Sequence, residues 1–311
     1  MRFAVDTWEP DYGTPTEPGA LLPSDVPTRI DAERAEADWA PIATAASRAP
    51  VVLFVDGVRR IEARVWITED DGSVSLGVAA SYGAGVVRCD GKAEVVVAEV
   101  ERKLLTAARS GGSITTKHGT FGCVSVDTDT PEALSLELQR QMGRLEIGAA
   151  RRAVEGLAVQ GEAGALVVVD GPLRQHGHLP GTVGSIKAQH RSYGPPIVAA
   201  TVGRLVAGER TPVFVIGEPF PRWSWYLRLP GPVPHPLAGV VRCEAAADLS
   251  TTDAVALADL VAATLPRYAS EPHKDSRAPQ NLYPIAGLER ALRRRLGDQQ
   301  LLIRALRSAA A

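Results

Sequence analysis

Two aspartates, Asp56 and Asp170, each follow a run of apolar residues and precede a glycine. The runs at 51–55 and 166–169 are rich in β-branched residues, which predicts two buried strands that each end at an Asp-Gly turn. If these strands are neighbours in one sheet, both carboxylates lie at its edge, where ligands of open α/β sheets bind. Paired carboxylates favour a divalent cation between them. The alternative is that each Asp-Gly pair is only a structural turn.

A hard divalent cation needs further oxygen ligands, and Glu146 is the expected third acid. It lies on a predicted helix that leads to the Asp170 strand, among apolar and small residues. Glu155, nine residues further on, projects from the opposite face of that helix and is the solvated alternative. A salt bridge from Glu146 to an arginine such as Arg151 is the structural alternative.

Lys187 is one of five lysines and follows the Asp170 strand after a short loop. A cation at this position can neutralise charge that develops on a phosphate group in a transition state. A lone lysine is otherwise most often a solvated surface group.

Several classes of function are disfavoured by the sequence. The phosphate loop GxxxxGK[ST], a GxGxxG turn and a GxSxG elbow are all absent. The net charge of −2 excludes a broadly basic surface but not a local basic groove. Four arginines of the last predicted helix form such a patch, namely Arg290, Arg293, Arg294 and Arg295. They are either a solvated face or a contact for a phosphate backbone.

The elements that position these residues alternate between strands and helices. We predict strands near 51–55, 61–67, 74–78, 121–126, 166–170, 212–216, 223–229 and 239–244. We predict helices over 29–47, 93–109, 131–157, 253–266 and 284–308, and a further helix that begins at 184–187. This order favours an α/β fold, a ribonuclease H-like mixed sheet flanked by helices. Residues 1–48 are expected to form an N-terminal arm and helix, and residues 49–311 the catalytic domain.

The environment of the protein is indicated by its cysteines and by its N-terminus. Three widely spaced cysteines fit neither a disulfide framework nor a CxxC metal site. Neither a signal sequence nor a membrane-spanning run is evident. We therefore expect a soluble, cytoplasmic protein.

The order and spacing of several short motifs resemble those of the NurA nuclease family over roughly residues 50–300. The motifs are Phe54–Gly57, Arg144–Glu146, Val169–Leu173, Val183–Lys187, Trp225–Leu227, Val241–Glu244 and Asn281–Glu289. The resemblance implies a ribonuclease H-like fold and a homodimer that degrades single- and double-stranded DNA from its ends with Mn²⁺ or Mg²⁺. It also implies a partner, a HerA-type hexameric ATPase.

The family's catalytic positions can be matched to this sequence. Asp56, Glu146 and Asp170 match its acidic metal ligands, and Lys187 matches its active-site lysine. The family commonly has a histidine near the start of the last helix, but 283–289 contains none. His273 or Glu289 could replace it, or the position could be vacant.

Two rival functions come from other classes. The first is a non-catalytic subunit that binds DNA ends on the same fold, which the missing histidine favours. The second is an actin-like phosphotransferase, because that superfamily also places Asp-Gly turns after strands.

Overall fold

The protein is a mixed α/β structure in which helices flank a large sheet of parallel and antiparallel strands. The computed structural model describes residues 22–162, 164–173, 179–188 and 191–310. The chain divides into two compact units. Of the described residues, the first comprises 22–54, 89–93, 162, 164–173, 179–188 and 191–286, and the second comprises 55–88, 94–161 and 287–310.

The described residues form thirteen strands and five α-helices. The strands are β1 (Leu22–Pro23), β2 (Thr28–Arg29), β3 (Val52–Thr68), β4 (Val74–Cys89), β5 (Ala93–Thr106), β6 (Ile114–Thr116), β7 (Gly119–Ser125), β8 (Leu166–Asp170), β9 (Thr182–Ile186), β10 (Arg191–Ser192), β11 (Phe214–Ile216), β12 (Arg222–Arg228) and β13 (Val240–Ala246). The helices are α1 (Pro131–Val159), α2 (Pro196–Arg204), α3 (Thr251–Thr264), α4 (Tyr283–Arg295) and α5 (Gln299–Ala309). Two 3₁₀ helices, Glu36–Asp38 and Leu265–Tyr268, complete the described elements.

The first unit is built on strands in the order β2-β11-β12-β13-β9-β8. Strands β8 and β9 are parallel, whereas β9, β13, β12, β11 and β2 pair antiparallel in turn. The amide of Leu166 donates to the carbonyl of Val51, which places the start of β3 beside β8. An apolar cluster that includes Trp39, Val198 and Phe214 packs α2 and the chain before β3 against this sheet.

The second unit contains strands in the order β3-β4-β5-β7-β6. Alternate residues of β4 serve two cores, because successive side chains of a strand point to opposite faces. Val78, Ala80 and Tyr82 pack with α1, whereas Ala79 packs with α5. Helix α1 begins as the sequence predicts, since the Thr130 side chain accepts from the amide of Ala133 and Pro131 is its first residue.

The predicted helix over 29–47 is wrong. This stretch contains only the last residue of β2 and the 3₁₀ helix Glu36–Asp38, because its polar side chains bind partners distant in sequence. The Glu33 carboxylate accepts hydrogen bonds from Arg210 at 2.8 Å and from the Val213 amide at 2.7 Å. The Trp39 indole donates to the carbonyl of Ile30. Of the predicted N-terminal arm, residues 1–21 lie outside the described residues.

Two other predicted helices are strands in the structure. Residues 93–109 contain β5, whose β-branched run Val95–Val97 favours extended backbone. Residues 184–186 belong to β9, where Gly184 and Ser185 pair with Glu244 and Cys243 of β13.

Three predicted boundaries also change. Strand β3 continues through Asp56 and Gly57 to Thr68, so no turn follows Asp56. The last predicted helix is two helices, because Gly297 adopts a φ of +84° and Asp298 caps α5. Helix α3 begins at Thr251, two residues before the predicted start at 253, because the Ser250 side chain caps it.

Five of the predicted strands are confirmed with small shifts at their ends, namely 121–126, 166–170, 212–216, 223–229 and 239–244. The predicted strands 51–55 and 61–67 are parts of the single strand β3, and 74–78 is only the start of the longer β4. Strand β8 ends at Asp170, and Gly171 follows with a φ of +99°, as an Asp-Gly turn requires. Within the described part of the chain, every helix is too short or too polar to cross a lipid bilayer.

Candidate functional site

Asp56 and Glu289 form a carboxylate pair in the second unit. Asp56 lies on β3 and is 7% exposed, and one of its oxygens accepts from the Gly57 amide at 2.8 Å. Oxygens of Asp56 and Glu289 lie within 4.8 Å of one another. Each residue offers a carboxylate oxygen, the kind of ligand that a hard divalent cation prefers. The pair is therefore close enough to hold one cation.

Glu289 is positioned by the apolar stripe of α4. Leu288 and Leu292 of α4, and Leu296 directly after it, are buried, as expected for residues four apart on one helix face. Glu289, one residue beyond Leu288, is half-buried at the border of this face. Glu289 and His273 are the two residues expected from the sequence as replacements for the histidine of NurA nucleases. His273 belongs to the first unit, where its exposed ring lies 3.4 Å from Glu271.

Glu146 is placed on α1 and reaches the strand that carries Asp56. A Cβ atom added at Gly57 would collide with Glu146 Oε1 and would lie 3.0 Å from Met142 Cγ. The missing side chain at Gly57 therefore gives Glu146 its place beside β3. Among the described residues, the group of acids whose carboxylate oxygens all lie within 4.8 Å of one another does not include Glu146. Glu155, the solvated alternative in the sequence analysis, is exposed.

Asp170 and Lys187 meet in the first unit. Asp170 is the last residue of β8, and Lys187 directly follows β9, the parallel neighbour of β8. Lys187 Nζ donates to Asp170 Oδ2 at 2.6 Å. The side chains of Lys187 and Asp170 are 4% and 14% exposed. Lys187 is therefore a buried, ion-paired residue and not a solvated surface lysine.

Asn281 is a second partner of this lysine. Lys187 Nζ donates to Asn281 Oδ1 at 2.7 Å, and Asn281 Nδ2 donates to Asp275 Oδ2 at 2.6 Å. The neighbouring Gln280 side chain donates to the backbone carbonyls of Lys187 and Val240.

The loop that follows Asp170 lies directly on β9. A Cβ atom at Gly184 would lie 2.5 Å from the Leu173 amide nitrogen and 2.8 Å from the Gly171 carbonyl oxygen. The Leu173 amide also donates to Glu244 Oε2 at 3.0 Å. Gly184 and Glu244 therefore fix the backbone immediately after the Asp170 carboxylate.

Glu244 is a buried carboxylate, 1% exposed, on β13. Its Oε1 atom accepts from Arg222 Nε and from Arg242 Nη1, both at 2.6 Å. Burial alone would raise the pKa of Glu244, but the charges of Arg242 and Arg222 outweigh it and hold the pKa below its ordinary value of 4.5.

Asn281 and Glu244 are absent from the residues selected from the sequence, although both lie within the motifs quoted there. A signal existed for Glu244, because an acid within the apolar strand Val240–Ala246 indicates a buried and paired charge. Asn281 gives no comparable signal, since its role depends on contacts with residues 6 and 94 positions away.

The residues considered as metal ligands are all carboxylates, namely Asp56, Glu146, Asp170 and Glu289. Hard divalent cations such as Mg²⁺ and Mn²⁺ prefer oxygen donors of this kind, whereas Zn²⁺ sites favour nitrogen and sulfur. The donor set therefore fits the cations that the sequence resemblance implies.

Neither models of known protein families nor the curated proteins contain a match for this chain.

Proposed function

We propose that the protein is a metal-dependent nuclease that hydrolyses phosphodiester bonds at DNA ends in the cytoplasm. The observation that carries the proposal is the close pair of Asp56 and Glu289 carboxylates in a chain whose motifs follow the NurA order. We propose that Glu146 binds Mn²⁺ or Mg²⁺ together with Asp56 and Glu289, and that Asp170 is likewise a metal ligand. We further infer that the mixed sheet is ribonuclease H-like.

The proposed roles follow from the charges of the side chains. A bound divalent cation supplies Lewis-acid activation of water and offsets charge on the phosphate. Asp56 and Glu289 hold the cation through carboxylate oxygens. Lys187 orients Asp170 and brings a positive charge that stabilises a phosphate oxygen. Because Lys187 is paired with Asp170, its ammonium also offsets the negative charge of the Asp170 carboxylate before substrate binds.

DNA is the proposed substrate and the arginines of α4 are its proposed contact. Arg290, Arg293, Arg294 and Arg295 are exposed and follow Glu289 on the same helix. Exposed arginines bind the phosphate backbone without reading its sequence, and such binding weakens as salt rises. The proposed homodimer and the HerA-type hexameric ATPase partner rest on the motif resemblance.

The experiment that tests this function uses end-labelled DNA with Mn²⁺, with and without a chelator. The wild-type protein is expected to degrade the DNA only without chelator. Asp170→Asn should lose most of this activity, because it removes a charged ligand and the ion partner of Lys187. The exposed Asp31→Asn substitution is the matched control and should cleave at the wild-type rate. Cleavage that persists in excess chelator contradicts the proposal.

The second candidate is a subunit that binds DNA ends without cutting them. The ion pair between Lys187 and Asp170 favours it, because an ammonium group already satisfies a carboxylate that a cation would need. This candidate predicts that the protein binds end-labelled DNA at physiological ionic strength and that no metal-dependent cleavage products form in the same assay.

Gly57→Ala tests whether the position of Glu146 matters. The added methyl group would collide with Glu146 Oε1, and the carboxylate must move away. Misplacing a catalytic group by about 1 Å can lower the rate about 100-fold, which is the expected loss of DNA cleavage. Stability should change by no more than about 1 kcal/mol, because glycine within a strand has no advantage over alanine.

Gly143→Ala is the matched control for this substitution. Gly143 lies on α1, one turn before Glu146, and a Cβ atom there meets no other atom within 4 Å. Cleavage by this control should equal that of the wild-type protein. Equal rates for Gly57→Ala and Gly143→Ala would remove Glu146 from the mechanism.

A further inference from the structure

We propose that Asn281 is a positioning residue for Lys187, and that Asp275 sets the orientation of its amide. The inference deepens the proposed nuclease function and rests on it. Asn281 is completely buried, and the side chains of Lys187 and Asp275 are 4% and 11% exposed. The three residues, with Asp170, form one chain of short hydrogen bonds within the first unit.

The direction of each hydrogen bond in this chain is fixed by chemistry. The Lys187 ammonium has only donors, and the Asp275 carboxylate has only acceptors. Asn281 Oδ1 therefore faces Lys187 at 2.7 Å, and its Nδ2 faces Asp275 at 2.6 Å. The reverse orientation would place two donors together and two acceptors together. Asparagine thus connects a cation to an anion in a way that an apolar residue cannot.

Asp275 is itself held in place. Its Oδ1 atom accepts from the Arg277 amide at 2.8 Å, and its carboxylate lies 3.7 Å from the Arg277 guanidinium. The backbone of Asn281 is also fixed, since its amide donates to the carbonyl of Arg277. Both ends of the Asn281 amide are therefore constrained before any substrate binds.

The function of this chain is to restrict a flexible side chain. Lysine has a four-carbon stem and a compact charge that can take many positions. Acceptors from Asp170 at 2.6 Å and Asn281 at 2.7 Å hold the ammonium between β8 and the loop before α4. A group held in this way acts on a phosphate without reorganising at the moment of reaction.

The test separates positioning from binding and from folding. Asn281→Leu is expected to lower kcat for Mn²⁺-dependent DNA cleavage about 100-fold with little change in KM, because the lysine is displaced and the DNA contact remains. The double variant Asn281→Asp with Asp275→Asn exchanges the two side chains. The carboxylate now at position 281 accepts from Lys187, and the amide now at position 275 donates to that carboxylate. This double variant should recover kcat to near the wild-type value.

Asn281→Leu combined with Asp275→Asn is the matched control and should stay as slow as Asn281→Leu alone. A wild-type kcat in Asn281→Leu, a loss confined to KM, or failure of the exchanged pair to recover kcat would each overturn the positioning role. The exchanged pair keeps the polar connection, so it decides the question even if the leucine variant does not fold.

A second measurement does not depend on nuclease activity. Modification of Lys187 by an amine-reactive ester, followed by mass spectrometry, reports how tightly the ammonium is held, with the exposed Lys117 as internal reference. Lys187 should react slowly in the wild-type protein and in the exchanged pair, and much faster in Asn281→Leu. If the wild-type protein does not cut DNA, the proposed function is wrong. Equal labelling of Lys187 in all variants would then overturn the positioning role separately.

Discussion

Asp56→Asn is expected to reduce metal-dependent DNA cleavage at least about 1000-fold, which corresponds to about 4 kcal/mol of transition-state stabilisation. The substitution removes one charge and one proposed metal ligand from the pair that Asp56 forms with Glu289. The fold should be retained, because an asparagine oxygen can still accept from the Gly57 amide as Asp56 Oδ1 does. Rates on end-labelled DNA with saturating Mn²⁺ measure the effect, and thermal melting checks the fold.

Asp71→Asn is the matched control for this prediction. Asp71 is an exposed residue of the same unit and its Oδ1 atom also accepts from a backbone amide, that of Ser73. This control should retain wild-type cleavage and wild-type Mn²⁺ affinity by calorimetry, whereas Asp56→Asn should lose both. A folded Asp56→Asn protein that cuts DNA at the wild-type rate would show that Asp56 is not a metal ligand of the reaction.

Glu244→Gln is expected to lower the free energy of unfolding at pH 7 by about 3–5 kcal/mol, as removal of one partner from a buried ion pair does. Glutamine offers one oxygen and one amide group. If the glutamine oxygen faces Arg222 and Arg242, its NH₂ group faces the Leu173 N–H, and two donors oppose each other. In the reverse orientation, the NH₂ group opposes the donors of the two arginines. Denaturant unfolding measures the loss, and the exposed Glu36→Gln substitution should show none.

The same residue makes stability depend on pH. The pKa of Glu244 is lower in the folded protein than its ordinary value of 4.5. Its ionisation therefore stabilises the folded state above pH 4.5, and this contribution is lost as the pH falls toward the folded-state pKa. The stability difference between wild-type protein and Glu244→Gln should narrow as the pH is lowered through this range. A difference that stays constant down to pH 3 would show that Glu244 is not the titrating group.

Local sequence patterns correctly predict strand β8 and the first residue of helix α1. Four apolar residues followed by Asp170 and Gly171 specify a buried strand and its turn within six positions. Thr130 and Pro131 likewise define a helix start through adjacent residues. The prediction of a mixed α/β fold rests on the order of such segments along the chain, whereas the pairing of the strands depends on distant contacts.

The wrong predictions concern segments whose structure is determined by contacts with residues distant in sequence. Residues 29–47 carry a helical pattern, yet Glu33 is bound by Arg210, 177 positions away. The Asp56–Gly57 pair is a typical turn signal, but it lies within a 17-residue strand where Gly57 makes room for Glu146 of α1. The Asn281 contact with Lys187 also joins residues that no local pattern connects.

The uninterrupted run of β3 through Asp56 has a consequence for how this chain tolerates changes in length. Side chains of a strand alternate between its two faces, so an insertion of one residue between Val52 and Asp56 would turn every later side chain of β3 to the wrong face. An insertion of two residues restores the parity, although it shifts the register. Natural or engineered variants of this protein should therefore vary β3 in steps of two, or place odd insertions only in the Glu69–Ser73 turn that follows it.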